Sequence, residues 1–444
     1  MQMKKILVIG AGRSAVTLIK YLLDNSVVNN WQVTVADFSE DLAKQAVDSH
    51  TNGKAIFFNV TDEKQREKEI ADTNIVISML PASLHITVAK DCVRLKKSLV
   101  TASYVSSEIT ELDEKAKQAG VLLLNEIGLD PGIDHMSAMQ VIDEIKENGG
   151  ELTSFKSYCG GLVHPDYDNN PWNYKFTWNP RNVVLAGQGT AQYIKQGKYK
   201  YIPYYKLFER IEQMSVLDAG EFEGYANRDS LNYRKAYGLE DIPTLFRGTL
   251  RRKGFCKSWN MFVQLGMTND TYVVENAVNM TYREFTNLFF PFNNELTVEQ
   301  KFCDYLSVSE NSEEFKKAKW LGIFSDSEIG IVNATPAQIL QKICEEKWTL
   351  GSEDKDMIVM QHQFEYLQNG EQKKLNSSLL VFGETPRFTS MAKTVGLPVA
   401  IATKLILSGE IKSTGVKIPT TKDIYAPVLK ELAENGINFV EELV

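Results

Sequence analysis

Cysteine is scarce in this chain and is not arranged for a structural role. The five cysteines, Cys92, Cys159, Cys256, Cys303 and Cys344, form no CxxC pair and are odd in number. That pattern argues against a disulfide framework and a zinc site, so no metal is expected and a reducing cytoplasm fits best. Positive charge is also short, with 49 Lys and Arg against 57 Asp and Glu. The net charge of −8 disfavours nucleic acid as a partner, because phosphate binding rests on clustered cations. The densest basic stretch, Arg247 to Lys257, is short and suits the carboxylates of a small acid. No apolar run approaches the roughly 20 residues of a membrane span, and Met1 leads into a strand-like run with no leader pattern. The expectation is a protein with neither a membrane nor a targeting segment.

What the chain does have is apolar material in quantity: 43% of its 444 residues are hydrophobic and 24% charged. Single cores stop growing near about 250 to 300 residues, so two or three domains are expected. From Lys4 to Glu126, Val/Ile/Leu runs alternate with helical patterns, the signature of βα units in a parallel sheet. The runs Ile6 to Ile9, Gln32 to Ala36, Ala55 to Phe58, Ile75 to Ser78, Leu99 to Ala102 and Val121 to Asn125 read as strands. Helices fill the intervals, giving an α/β, doubly wound Rossmann domain over residues 1–130. After Asn125 the texture turns Gly- and Pro-rich, and an α+β domain is expected over 131–388, with a helical insert at about 290–350. There Glu151 to Tyr158, Thr244 to Arg251, Asp356 to Leu367 and Lys373 to Phe382 read as strands, the last two joined by an Asn369-Gly370 hairpin. Thr335, Pro336 and Gln338 predict a capped helix to Trp348. A final helical pattern, Thr389 to Leu407, carries a possible break at Pro398.

The first strand runs into Gly10-Ala11-Gly12-Arg13-Ser14-Ala15, a GxGxxA fingerprint opening a helix. Gly10 permits the turn, Gly12 lets backbone N–H groups approach a pyrophosphate, and Ala15 allows close packing of helix on strand. Asp37 closes the second strand, where an acid accepts hydrogen bonds from the adenosine ribose and repels a 2′-phosphate. Phe38-Ser39-Glu40 brings no Arg or Lys to reverse that, so NAD is expected over NADP, which stays open. Asp62 follows the third strand as either an adenine contact or a helix cap. Leu80 follows the fourth, again on the cofactor side.

Further motifs extend along the chain: Thr101-Ala102-Ser103-Tyr104, Glu126-Ile127-Gly128-Leu129-Asp130-Pro131-Gly132-Ile133-Asp134-His135, Ser157 to Gly161, Asn227 to Ser230, Arg247-Gly248-Thr249-Leu250-Arg251 and Met391 to Pro398. Together they resemble the saccharopine dehydrogenases, in particular the glutamate-forming branch, also called saccharopine reductase. The resemblance implies a reversible oxidative cleavage of saccharopine to glutamate and 2-aminoadipate 6-semialdehyde, with NAD(P) as hydride acceptor. It also implies a homodimer, an α+β domain for substrate and dimer contacts, and a C-terminal segment, about 389–444, that returns to the Rossmann domain. By the same resemblance Ser103, Tyr104, Asp130, Arg228, Thr249, Leu250 and Arg251 contact saccharopine, and Ser103, Ile127 and Leu129 approach the cofactor.

Saccharopine carries three carboxylates, and arginine forks suit them. Asp130 has two readings, a contact for the substrate amine and, with Pro131, the N-cap and N1 of a helix. Asp130 and Tyr104 are the candidates for proton transfer, while His135 reads as a hydrogen-bonded structural histidine. Two other functions remain open at this level. A carboxyspermidine-type imine or amine dehydrogenase would want acids where Arg228 and Arg251 stand, and a non-catalytic NAD-binding protein would not need the substrate motifs.

Overall fold

The six apolar runs near the N-terminus become six parallel strands of one sheet. A computed structural model describes residues 3–444. The strands are β1 (Lys4–Ile9), β2 (Trp31–Asp37), β3 (Gly53–Phe57), β4 (Ile75–Ser78), β5 (Ser98–Val100) and β6 (Leu122–Leu124). Their order is β6-β5-β4-β1-β2-β3, so the winding reverses between β1 and β4. Helices on both faces leave the central strand no solvent side, which is why Ile6 to Ile9 is apolar without alternation and almost wholly buried. A seventh strand, Gly415–Lys417, pairs in parallel with β6. Three residues are too few to carry a period, and this strand had no signal in the sequence.

The chain forms two compact units, Met1–Leu152 with Tyr366–Val444, and Thr153–Glu365. The first takes in the helix Ile133–Glu147, which the change of texture after Asn125 assigns to the second domain. Its partner is the helix Lys422–Glu434: Tyr425 Oη donates to Asp143 at 2.5 Å, and Lys422 pairs with Glu147 at 2.7 Å.

The helix Ser390–Ser408 belongs to this unit and runs through Pro398 without a break. Pro398 removes one N–H bond, but the burial of most of the helix outweighs that loss. Contrary to the reading from hydrophobic runs, this helix is long and apolar enough to cross a membrane by length and composition. Yet 67% of its most apolar window is buried inside the protein, as in a core helix. Gly396 makes the packing possible. A Cβ there would lie 2.9 Å from the Leu18 nitrogen and 3.2 Å from the Ser14 carbonyl oxygen, so only glycine lets this helix touch the fingerprint turn.

In the second unit the strands are β7 (Glu151–Val163), β8 (Ala191–Lys195), β9 (Lys198–Ile202), β10 (Ile211–Ser215), β11 (Glu221–Ala226), β12 (Thr244–Arg252) and β13 (Asp356–Gln368). They run in the order β10-β11-β12-β7-β13, with β8 on β12 and β9 on β8. β7 and β12 are parallel, whereas β10, β11 and β12 form antiparallel pairs. β8, β9 and β10 escaped the sequence reading because they are short and largely exposed or half-buried, with Lys, Tyr and Glu where alternation would show, and β11 because Glu and Gly interrupt a short run that is mostly buried. β13 turns through Asn369 and Gly370, both at positive φ, into β14 (Glu371–Phe382), as an Asn-Gly hairpin requires. The helix Pro336–Trp348 carries the expected capping box: Gln338 N–H donates to Thr335 Oγ1, and Thr335 N–H to Gln338 Oε1. All five cysteines are free thiols.

Candidate functional site

The fingerprint turn is shaped by its first glycine. Gly10 sits at φ +105°, and a Cβ there would lie 2.9 Å from the Met79 carbonyl oxygen. Gly12 faces open space, with nothing within 4 Å of an added Cβ, whereas Ala15 is buried. This is a cradle whose backbone an anion can approach. Arg13 to Ala15 form a 3-10 turn and the α-helix proper begins at Val16, so the first turn is tighter than the sequence indicates. Arg13 is exposed and Ser14 half-buried.

Asp37 does more than end β2. Its Oδ2 accepts from the Ala11 N–H at 2.7 Å and its Oδ1 from the Ser39 N–H at 2.8 Å, so the carboxylate is locked onto the fingerprint loop. Asp62 realises its capping alternative by accepting from the Gln65 N–H at the start of the helix Glu63–Ala71. Leu80 is half-buried beyond β4. The sequence reading passed over Phe38 and Phe57. Both rings are exposed, their centroids are 5.5 Å apart with the planes tilted by 51°, and they stand at the carboxyl ends of β2 and β3, an apolar surface beside Asp37.

The loops after β4, β5 and β6 are tied together by buried polar groups. His85, almost wholly buried, bridges Ser78 Oγ (2.8 Å from Nδ1) and Ser103 Oγ (2.7 Å from Nε2). Burial pushes its pKa down to about 4, so the ring is neutral at physiological pH. Glu126, at φ +56°, turns its carboxylate inward to accept from the Val105 N–H and to meet His135 Nε2, each at 3.0 Å. His135 is fully buried in this pair and holds the two loops in register, the structural role read for it. Ile127 and Leu129 are buried, leaving their backbone groups as what they can offer a cofactor.

Tyr104 is 37% exposed and so is not a core aromatic; its Oη lies 3.5 Å from Asp130 Oδ1. Asp130 and Pro131 are not the N-cap and N1 that the pair suggests. The helix starts at Ile133 with Gly132 as N-cap, and it is the Asp134 carboxylate that accepts from the Gly132 N–H at 2.6 Å. A tight turn occupies the intervening residues, with Gly128 N–H donating to the Pro131 carbonyl at 2.9 Å. Asp130 therefore lies ahead of the helix and is not its N-cap, and it stands with Tyr104 at the carboxyl edge of the sheet, where doubly wound folds bind ligands.

In the second unit, Thr249 and Arg251 share one face of β12 and Leu250 points to the other, fully buried. Arg251 is 2% exposed. Its guanidinium lies 5.1 Å from the Tyr174 ring centroid, 5.5 Å from Phe255 and 5.9 Å from Tyr225. Nη1 donates to the Leu250 carbonyl at 2.9 Å, but Nε has no partner, and no carboxylate among the described residues lies within ion-pair distance. Arg228 is set differently, exposed on the loop after β11 at φ +48°, with its carbonyl accepting from Gln192 N–H. The neighbouring Asn227 N–H donates to the Arg247 carbonyl at 2.8 Å, which fixes this loop to β12.

Comparison with known proteins identifies the family of the chain. Residues 6–124 match the family described as the saccharopine dehydrogenase NADP binding domain, and residues 128–437 the saccharopine dehydrogenase C-terminal domain. The chain is 36% identical over 453 residues to saccharopine dehydrogenase [NADP(+), L-glutamate-forming] of Saccharomyces cerevisiae, covering 99% of each. It is 35% identical over 462 residues to the mitochondrial alpha-aminoadipic semialdehyde synthase of Rattus norvegicus, covering 98% of this chain and 47% of that protein. The chain thus spans about half the length of such synthases. The solved apo saccharopine dehydrogenase (L-Glu forming) from S. cerevisiae superposes with a TM-score of 0.90 at 34% identity, covering 99% of this chain and 100% of that one. These names agree with a nicotinamide dinucleotide as the cofactor class, but they carry NADP(+), against the expectation of NAD drawn from Asp37. The rat protein's name places it in mitochondria and lends no support to a cytoplasmic setting for this chain. With matches that together cover nearly the whole sequence, the chain belongs to the saccharopine dehydrogenase family.

Proposed function

We propose that this protein is an oxidoreductase that cleaves saccharopine to L-glutamate and 2-aminoadipate 6-semialdehyde. The observation that carries the reading is Arg251, a buried guanidinium with no acidic partner among the described residues, which is the complement of a carboxylate-rich substrate. In the same unit exposed Arg228 supplies a second cation and Thr249 a hydroxyl. The open backbone around Gly12 and the fingerprint turn hold the pyrophosphate of the dinucleotide, with the exposed Phe38 and Phe57 rings as a platform for its adenine. When bound, the dinucleotide accepts a hydride from the carbon that bears the secondary amine. The chain's own residues orient that carbon, and Asp130, with Tyr104 beside it, assists the proton transfers by which water then splits the C–N bond. Mixing the protein with saccharopine and NAD⁺ is expected to give stoichiometric reduced dinucleotide and glutamate. No absorbance of reduced cofactor with either NAD⁺ or NADP⁺ would remove this reading and leave a binding protein.

The preferred cofactor in this proposal is NAD. Asp37 is pinned by two backbone donors at the place where the adenosine ribose arrives, so its charge cannot swing away from a 2′-phosphate. A hydrogen bond from a ribose hydroxyl to a charged acceptor contributes about 1.5 to 3 kcal/mol, roughly 10- to 100-fold. At fixed saccharopine, kcat/KM is expected to be at least about tenfold higher with NAD⁺ than with NADP⁺, and Asp37→Ala to narrow that gap. Equal or better efficiency with NADP⁺ would place this chain with its NADP(+)-named relatives.

A further inference from the structure

The bridge from Ser78 through His85 to Ser103 has a direction that its hydrogen count determines. Ser78 is fully buried, and its hydroxyl has one hydrogen-bond partner among the described residues, His85 Nδ1 at 2.8 Å. A buried hydroxyl that only accepts leaves its own hydrogen unsatisfied, at a cost comparable to a lost hydrogen bond. The arrangement that avoids this cost has Ser78 O–H donating to Nδ1. A neutral imidazole carries one N–H, so the proton then sits on Nε2 and is donated to Ser103 Oγ at 2.7 Å. The Ser103 oxygen is thereby engaged as an acceptor, and its own O–H is left to donate outward from the half-buried loop after β5. A charged imidazolium would donate from both nitrogens and lose this polarity, but burial keeps the ring neutral down to about pH 4.

We propose that His85 is a positioning residue that fixes Ser103 as a hydrogen-bond donor toward a carboxylate oxygen of the substrate. The chain of groups is an orienting device and not a proton wire, because its far end, Ser78, is sealed from solvent. His85 lies at the start of the helix after β4, seven residues beyond Ser78 and eighteen before Ser103. No local motif links the three, and only the adjacency of β4 and β5 brings them together.

This inference rests on the saccharopine reading for its ligand, but the tautomer itself does not. Long-range ¹H–¹⁵N correlation of the imidazoles in wild-type protein, with the His85 signal identified among five histidines by its loss in His85→Gln, is expected to show the proton on Nε2. A proton on Nδ1 would overturn the proposal whatever the substrate is. With saccharopine, Ser103→Ala and His85→Ala are each expected to lower kcat/KM about tenfold, chiefly through KM, and the double variant to lose about tenfold as well. Losses that multiply to about a hundredfold would mean that His85 acts independently of Ser103, and would overturn it too. His85→Gln, whose amide can donate near the position of Nε2, is expected to recover part of the loss. Should wild type fail to turn over saccharopine, the proposed activity falls and the tautomer measurement still decides the role of His85.

Discussion

Arg251→Met is expected to raise KM for saccharopine by about 10²- to 10³-fold while leaving the melting temperature unchanged or slightly higher. Removing one partner of a buried ion pair costs about 3 to 5 kcal/mol, which sets the size of the binding effect. The stability half of the prediction comes from what surrounds the side chain. Tyr174, Phe255 and Tyr225 contribute cation–π attraction of about 0.5 to 2 kcal/mol each at best, and one Nη1 bond to a carbonyl adds little. Against that stands a desolvation cost of several kcal/mol for a guanidinium that is 2% exposed and lacks an acidic partner. Methionine occupies similar length, tolerates the aromatic surroundings and carries no charge to bury. A functional cation in an unfavourable site gives weak binding with an intact fold. A large fall in melting temperature with unchanged KM would instead make Arg251 a structural cation held by its three rings.

Asp130→Asn is expected to reduce kcat about 100-fold, the low end of general acid–base contributions, with little change in the affinity for dinucleotide. Asn keeps the shape and removes only the capacity to take and return a proton. Because Gly132 and Asp134 form the start of the following helix, the substitution should leave that helix alone, and unfolding curves of the two proteins should coincide. Slowing the hydrolytic half while the hydride step is untouched should also lower the isotope effect on kcat from saccharopine deuterated at the reacting carbon. Unchanged kcat and an unchanged pH profile would dismiss Asp130 from the proton transfers and leave Tyr104 as the candidate.

Parts of this molecule were legible because their physics is local. The capping box at Thr335 and Gln338 closes within three residues, the Asn369-Gly370 turn within two, and the fingerprint from Gly10 to Ala15 within six, so their residue types suffice to identify them. The same locality misled at Asp130-Pro131, where a good cap sequence is overridden by a turn that hands capping to Gly132. Pro398 misled in the other direction, since its local penalty is smaller than the burial gained by the helix around it. The role of Asp37 was legible by position, but its two backbone bonds, one to a residue 26 positions away, were not.

From residue order alone came the parallel sheet, the dinucleotide turn and its acid, the arginines suited to carboxylates, and the motifs that carry the family resemblance. Tertiary structure alone decided that Ser78, His85 and Ser103 form one chain of hydrogen bonds, that Glu126 and His135 lock two loops together, and that Gly415–Lys417 completes the sheet. It also decided that Arg251 is buried among rings, with no acid beside it among the described residues. The division has a physical reason. Periodicity, caps and turns depend on bonds within a few residues, whereas burial, protonation state and partnership depend on which distant strands lie side by side.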